Sequence, residues 1–176
     1  MNSAKKYTCW SILILFLAGS LFHFLYDLTG QFVLIGVISP VNESVFEHCK
    51  MVVVPVILLW SIYFLIRGKA KNIDKNKWFT GAFVSLMSSI IAIPLIYYFY
   101  TNAFGIESLI VDILILLVAL TIGQLLGIYV YKHGKGINAK VSFSLMIVVF
   151  AVFIVFTFVT PRLPIFMDGP TGSYGL

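Results

Sequence analysis

The sequence predicts an all-α integral membrane protein, a bundle of five transmembrane helices. Its 176 residues are 60% hydrophobic and only 11% charged, with a mean hydropathy of +1.01, which is far from the composition of soluble domains. Crossing a hydrocarbon core takes about 20 apolar residues. The runs of that length cover residues 7–28, 45–66, 78–100, 108–131 and 141–160. We therefore expect one transmembrane domain over 1–160 and a tail over 161–176.

The distribution of basic residues predicts the orientation of the bundle. If all five runs cross, one side of the membrane receives Lys5, Lys6, Arg67, Lys69, Lys71, Lys75, Lys77, Lys132, Lys135 and Lys140. The positive-inside rule assigns that side to the cytoplasm, so the N-terminus lies inside and the C-terminus outside. Trp10, Trp60 and Trp78 fall at the cytoplasmic helix ends, where we expect headgroup contacts. Topology explains the net charge of +5, so we expect no nucleic-acid partner. The apolar runs predict membrane lipids as partners.

The first helix, 7–28, resembles a secretory signal at its start, but its apolar run continues through Phe24 and Leu25, which favours an uncleaved helix. His23 and Asp27 lie four residues apart and so share one helix face. A carboxylate beside an imidazole is typical of general bases and of metal-bound histidines. The alternative is a hydrogen-bonded pair at headgroup level.

The connection to the second helix is apolar over 32–38 yet too short to cross, so we expect a re-entrant or interfacial segment within 30–44 on the outer face. The second helix begins with Ser44-Val45-Phe46-Glu47, which fits a capping box with Ser44 as N-cap and Glu47 reaching back to its amide. Such a cap does not explain Glu43 or His48. These two residues and Glu47 are therefore candidates for chemistry.

The third and fourth helices carry small residues three or four apart, which allow close backbone approach. These are Gly81, Ser85, Ser88, Ser89 and Ala92 on the third helix, and Ala119, Gly123 and Gly127 on the fourth. We expect them to pack the bundle, although an oligomer seam is also open. Asp112 lies inside the fourth apolar run, where an acid is costly unless paired, and Lys50 or a histidine is a candidate partner.

The fifth helix, 141–160, ends before a tail that is too rich in proline and glycine to continue it. On the outer side, the tail can fold over the mouth of the bundle and contribute Asp168 or Tyr174. Cys9 and Cys49 lie near opposite membrane faces, so we expect no disulfide between them.

Several motifs resemble a family of small bacterial multi-pass membrane proteins of unknown function. They are Pro40-Val41-Asn42-Glu43-Ser44, then Glu47-His48, then Pro164-Ile165-Phe166-Met167-Asp168 and Gly172-Ser173-Tyr174-Gly175. The resemblance spans nearly the whole chain. It differs at Phe46, where the family often has tryptophan, and in the tail, where the family has a double proline and an Asp-Pro pair. The resemblance implies a bacterial plasma-membrane protein and no particular chemistry.

Three functions fit these residues. The first is a membrane-embedded hydrolase-like enzyme at the outer leaflet, with Glu43, Glu47 and Asp112 as catalytic candidates and a lipid-linked or phosphate-containing substrate. Its metal candidates are His23, Asp27 and His48, which suit zinc or manganese, although no established zinc motif matches. The second is a small transporter or proton-coupled carrier in which Asp112 and His23 exchange protons, and the third is a non-catalytic subunit or sensor. The sequence leaves enzyme and non-enzyme open.

Overall fold

The computed structural model describes residues 3–176, with side chains from Tyr7 onward, so the Lys5 and Lys6 side chains lie outside the described part. The chain is helical: α1 (Ser3–Leu28), α2 (Val33–Gly36), α3 (Val45–His48), α4 (Lys50–Arg67), α5 (Lys75–Phe104), α6 (Leu109–His133), α7 (Ala139–Phe158) and a 3₁₀ turn at Pro164–Phe166. No β-strand element occurs over 3–176.

Five stretches are long and apolar enough to cross a membrane: Tyr7–Leu28, Val45–Arg67, Lys75–Phe104, Leu109–His133 and Ala139–Phe158. The predicted helical class and the five membrane-length helices are thereby confirmed. The largest difference is the third span, which extends the prediction of 78–100 at both ends. Asp74 caps its start by accepting from the Asn76 and Lys77 amides, and Gly105 ends it in the left-handed conformation at φ +65°.

α5 and α6 form the closest pair in the bundle, and their small residues face each other. A Cβ atom added to Gly81 would lie 2.6 Å from the Gly127 carbonyl oxygen, and one added to Gly123 would lie 2.6 Å from the Ser85 carbonyl oxygen. Any larger residue would force the helices apart. The predicted small-residue faces thus pack against each other within one chain.

α4 lies between α1 and α5, with α6 closing the group and α7 packing on α5 and α4. At the end of the bundle where α4 finishes, Trp60 and Trp78 are 0% and 3% exposed, and Trp78 Nε1 donates to the Trp60 carbonyl oxygen (2.9 Å). These two rings therefore pack on each other inside the bundle and not against lipid, while their level in the membrane stays a prediction. Only Trp10, 55% exposed, lies on the surface.

At the opposite end, the connection between α1 and α3 packs on the last turns of α1. The Ser39 hydroxyl donates to the Phe22 carbonyl oxygen and accepts from the Tyr26 amide. The tail, residues 161–176, folds back over the same end. Its buried Phe166 ring lies 4.5 Å from Phe46 at the start of α3. Connection, helix starts and tail therefore converge, and we call this part of the bundle the cluster end.

Candidate functional site

The start of α3 positions the polar residues of the cluster end. The Ser44 hydroxyl accepts from the Glu47 amide (3.3 Å), so Ser44 is the N-cap that the sequence predicted. Glu47 does not complete the capping box. The Ser44 amide instead donates to Asn42 Oδ1 (3.0 Å), which frees the Glu47 carboxylate for other contacts. This turn directs Glu43 and His48 toward α1.

His23, Glu43 and His48 form a three-residue group that we call the His–Glu cluster. Glu43 Oε1 lies 3.9 Å from His23 Nε2, and Glu43 Oε2 lies 3.3 Å from His48 Nε2. The two imidazole rings stack with centroids 5.2 Å apart. One ligand-capable atom from each residue lies within 4.8 Å of the other two. Ligands bound to tetrahedral zinc lie about 3.3 Å apart, so the three atoms would have to move closer together to hold one metal ion.

Hydrogen bonding of His48 determines which of its nitrogens is free. Its Nδ1 lies 2.9 Å from the Ser44 carbonyl oxygen, which can only accept, so Nδ1 carries the hydrogen. In the neutral ring, Nε2 then presents a lone pair directly toward the Glu43 carboxylate. Two acceptors at 3.3 Å repel each other unless a cation lies between them. A proton or a metal ion satisfies this arrangement.

Glu43 is fixed from the tail as well. Its amide donates to Asp168 Oδ1 (2.8 Å), and Asp168 Oδ2 also accepts from the Thr171 amide and hydroxyl. When Nε2 of His48 also carries a proton, its hydrogen bond to the Glu43 carboxylate holds the pKa of Glu43 below its ordinary value. Burial acts to raise the pKa of Asp168, but the hydrogen bonds from Thr171 and from the Glu43 amide outweigh it and lower that pKa. Both groups are therefore carboxylates at neutral pH.

Glu47, a predicted catalytic candidate, has a different environment. Its carboxylate is buried and pairs with Lys50 Nζ at 2.7 Å. It also accepts from the Val41 amide (3.0 Å) and from the Thr157 hydroxyl of α7 (2.8 Å). Lys50 in turn donates to the Gly36 carbonyl oxygen (2.6 Å). Glu47 therefore links the connection between α1 and α3 to α4 and α7 through these contacts. Its carboxylate is not part of the His–Glu cluster.

Asp112 lies in the first turn of α6, where Tyr100 Oη donates to its Oδ1 at 2.6 Å. Its partner is thus a tyrosine, whereas the sequence favoured Lys50 or a histidine. In the described part of the chain, Asp112 makes no hydrogen bond or ion pair with the His–Glu cluster. Asp27 is exposed, and its Oδ1 accepts a hydrogen bond from Gln31 Nε2 at 3.5 Å. No hydrogen bond or ion pair among residues 7–176 joins Asp27 to His23.

The structure thus brings together two of the three predicted metal candidates, His23 and His48, with the predicted catalytic candidate Glu43. Tyr100 and Thr157 were missed by sequence reasoning. Tyr100 ends the aromatic run Tyr97-Tyr98-Phe99-Tyr100, and its pairing with Asp112 depends on the position of α6. Thr157 is one of three hydroxyl residues in the apolar helix α7, and its sequence position gives no indication that it contacts a buried carboxylate.

Comparison with known proteins adds a family but no chemistry. A family model described as a family of unknown function (DUF6512) matches residues 1–176. No curated protein and no solved structure matches the chain. The predicted resemblance to an uncharacterised family is confirmed at this level, while the individual motifs and the bacterial origin stay predictions.

Proposed function

The chain belongs to DUF6512, a family of unknown function, and we propose that it binds a divalent transition-metal ion between His23, Glu43 and His48 as a membrane-embedded hydrolase. In this proposal the cluster end faces the outside of a bacterial plasma membrane. The observation that carries the proposal is the arrangement of two imidazoles around one carboxylate. Two histidines and one glutamate are a known ligand set of catalytic zinc, which keeps a fourth position for water.

Accessibility supports a catalytic site over a closed structural one. The side chains of His23, His48 and Glu43 are 22%, 31% and 53% exposed, so the cluster is open to water on one side. The Ser44 carbonyl oxygen fixes the His48 tautomer with Nε2 free, as hydrogen-bonded partners of metal-bound histidines do. Mixed histidine and carboxylate ligands favour zinc, with manganese second.

A bound divalent ion would lower the pKa of its water and so supply a hydroxide nucleophile near neutral pH. Asp112, which accepts a hydrogen bond from Tyr100 at the start of α6, is the catalytic candidate outside the metal ligands. The substrate class that fits the location is a lipid-linked or phosphate-containing ester at the membrane surface. No observation on the described residues favours the carrier alternative. The buried side-chain hydrogen bond between α5 and α6 joins Ser85 to Gln124, and neither of these side chains titrates.

Metal content tests the site. Protein purified in detergent, loaded with zinc and desalted, should retain about one ion per chain by elemental analysis. His48→Ala and Glu43→Gln should lose it while thermal unfolding shows that they remain folded. Asp27→Asn is the matched control, because it removes a neighbouring acid outside the cluster, and it should keep the metal. Equal metal in His48→Ala and in the unmodified chain would refute the site.

Turnover tests the hydrolase itself. The zinc-loaded protein in vesicles should release phosphate from phosphatidic acid, and His23→Ala should abolish the release. If the zinc-loaded protein cleaves no lipid phosphoester, the proposed hydrolysis is refuted, whereas the proposed metal site is not.

A further inference from the structure

A cavity of about 540 Å³ lies between the end of α7 and the tail. It is lined by Phe158, Thr160, Arg162, Ser173, Tyr174 and Leu176, among others. This volume lies within the range of about 300–1,000 Å³ that is typical of small-molecule sites. The tail backbone forms one wall, and it approaches α7 so closely that a Cβ atom on Gly175 would lie 2.9 Å from the Thr157 carbonyl oxygen.

Arg162 is the distinctive group in this cavity. Of the twelve lysines and arginines, only Lys50 and Arg162 belong to the cluster end, and Lys50 is buried against Glu47. Arg162 is exposed and makes no ion pair or hydrogen bond within the described part of the chain. The half-buried Tyr174 also has a hydroxyl without a partner among residues 7–176. The cavity therefore offers a free guanidinium and a free phenol hydroxyl.

The surroundings of these two groups indicate the ligand. A guanidinium presents several donors in a planar fork that matches a phosphate group. Next to it, the exposed side chains of Phe158 and Val159 end the apolar surface of α7. We infer that this cavity binds the phosphate of an anionic phospholipid, with Arg162 and Tyr174 contacting the phosphate and the lipid's acyl chains lying along the end of α7.

This inference goes beyond the proposed hydrolase and does not require its metal. The cavity and the His–Glu cluster are joined through the tail, since Asn42 Nδ2 donates to the Gly175 carbonyl oxygen and the Glu43 amide donates to Asp168. If both sites operate, the bound lipid is the substrate or its neighbour. If the metal site fails, lipid binding stands on Arg162 and Tyr174 alone.

Binding by delipidated protein in detergent and chelator tests the inference without any metal. Dioctanoyl phosphatidic acid should bind in a calorimetric titration, and dioctanoyl phosphatidylcholine should bind at least tenfold more weakly. Arg162→Gln should weaken phosphatidic acid binding at least tenfold, because Arg162 is the one basic residue among the described residues that line the cavity. Lys140→Gln, an exposed lysine at the opposite end, should bind like the unmodified protein.

Three further binding measurements distinguish a lipid site from the other possible results. Tyr174→Phe should weaken binding severalfold without unfolding the protein, which keeps the test valid if Arg162→Gln is unstable. Inorganic phosphate should bind far more weakly than the lipid, and equal affinity for phosphate alone would overturn the lipid assignment. Unchanged phosphatidic acid binding in both variants would overturn the site. Glu43→Gln should bind the lipid normally, which separates this result from any failure of the metal site.

Discussion

Lys50 carries a positive charge in the first turn of α4, the end at which a helix dipole disfavours cations, and its side chain is only 2% exposed. Such a charge is tolerated only when its donors are satisfied. Glu47 supplies the carboxylate, and the Gly36 and Ser39 carbonyl oxygens accept at 2.6 and 3.3 Å. Because Glu47 also accepts from the Thr157 hydroxyl, one ion pair ties the connection, α4 and α7 together.

Breaking this pair on one side should be more destabilising than removing both charges. We expect Lys50→Met to lower the free energy of unfolding by about 3–5 kcal/mol, because it leaves the Glu47 carboxylate buried and unpaired. The double variant Glu47→Gln, Lys50→Met should recover part of that loss. Unfolding in a detergent-denaturant series, read as a double-mutant cycle, measures the coupling.

Lys140 provides the matched control for this cycle, since it also lies in the first turn of a helix but is exposed. Lys140→Met should change stability by no more than about 0.5 kcal/mol. A Lys50→Met protein as stable as the Lys140→Met protein would contradict a stabilising role for the buried pair.

The helices were predictable because their signal is local. A run such as 45–66 is long and apolar in itself, and it appears as the span Val45–Arg67. The His–Glu cluster was not predictable from local pattern, because His23 and Glu43 are twenty residues apart and meet only through the path of the connection. Asp27, one turn from His23, was the better partner by spacing, yet its side chain faces Gln31 and water.

The tail is the element whose order depends most on charge. Asp168 is buried and anchors the Glu43 amide, and the pKa of each carboxyl group lies below its ordinary value in the folded chain. For a lowered pKa, the stabilising contribution is complete above the unfolded value, about 3.9 for Asp and 4.3 for Glu, and is lost as pH falls through the folded value. We therefore expect the docked tail to loosen below about pH 4.

Spin-label mobility measures this loosening. A nitroxide on Gly169→Cys, where the surrounding space is open, in a Cys9→Ser background without metal, should become more mobile between pH 5 and pH 3. Asp168→Asn should be mobile already at pH 7 and respond less to acid. Gly175→Ala should also release the tail at pH 7, because Gly175 has φ +68° and no room for a Cβ atom. A tail equally immobile at pH 5 and pH 3 would contradict the charge-dependent anchor.

Over the whole molecule, charge is divided between the two ends of the bundle. Six of the seven acids belong to the cluster end or its adjoining segments, and Asp74 alone belongs to the other. Ten of the twelve basic residues lie at that other end. Insertion machinery retains lysine-rich and arginine-rich loops in the cytoplasm, so we expect this division to place the His–Glu cluster on the outer side. The acids contribute little to that choice, and this leaves them available for a site.

The orientation follows as a prediction for the intact molecule. In bacterial cells expressing Cys9→Ser protein, Gly169→Cys in the tail should react with a membrane-impermeant maleimide without permeabilisation. Lys135→Cys, exposed in the loop between α6 and α7, should react only after the membrane is opened. Cys49 is only 2% exposed and should remain unlabelled in intact and in permeabilised cells. Labelling of Lys135→Cys in intact cells, with Gly169→Cys protected, would show that the bundle has the opposite orientation. A hydrolase or lipid site at the cluster end would then face cytoplasmic substrates.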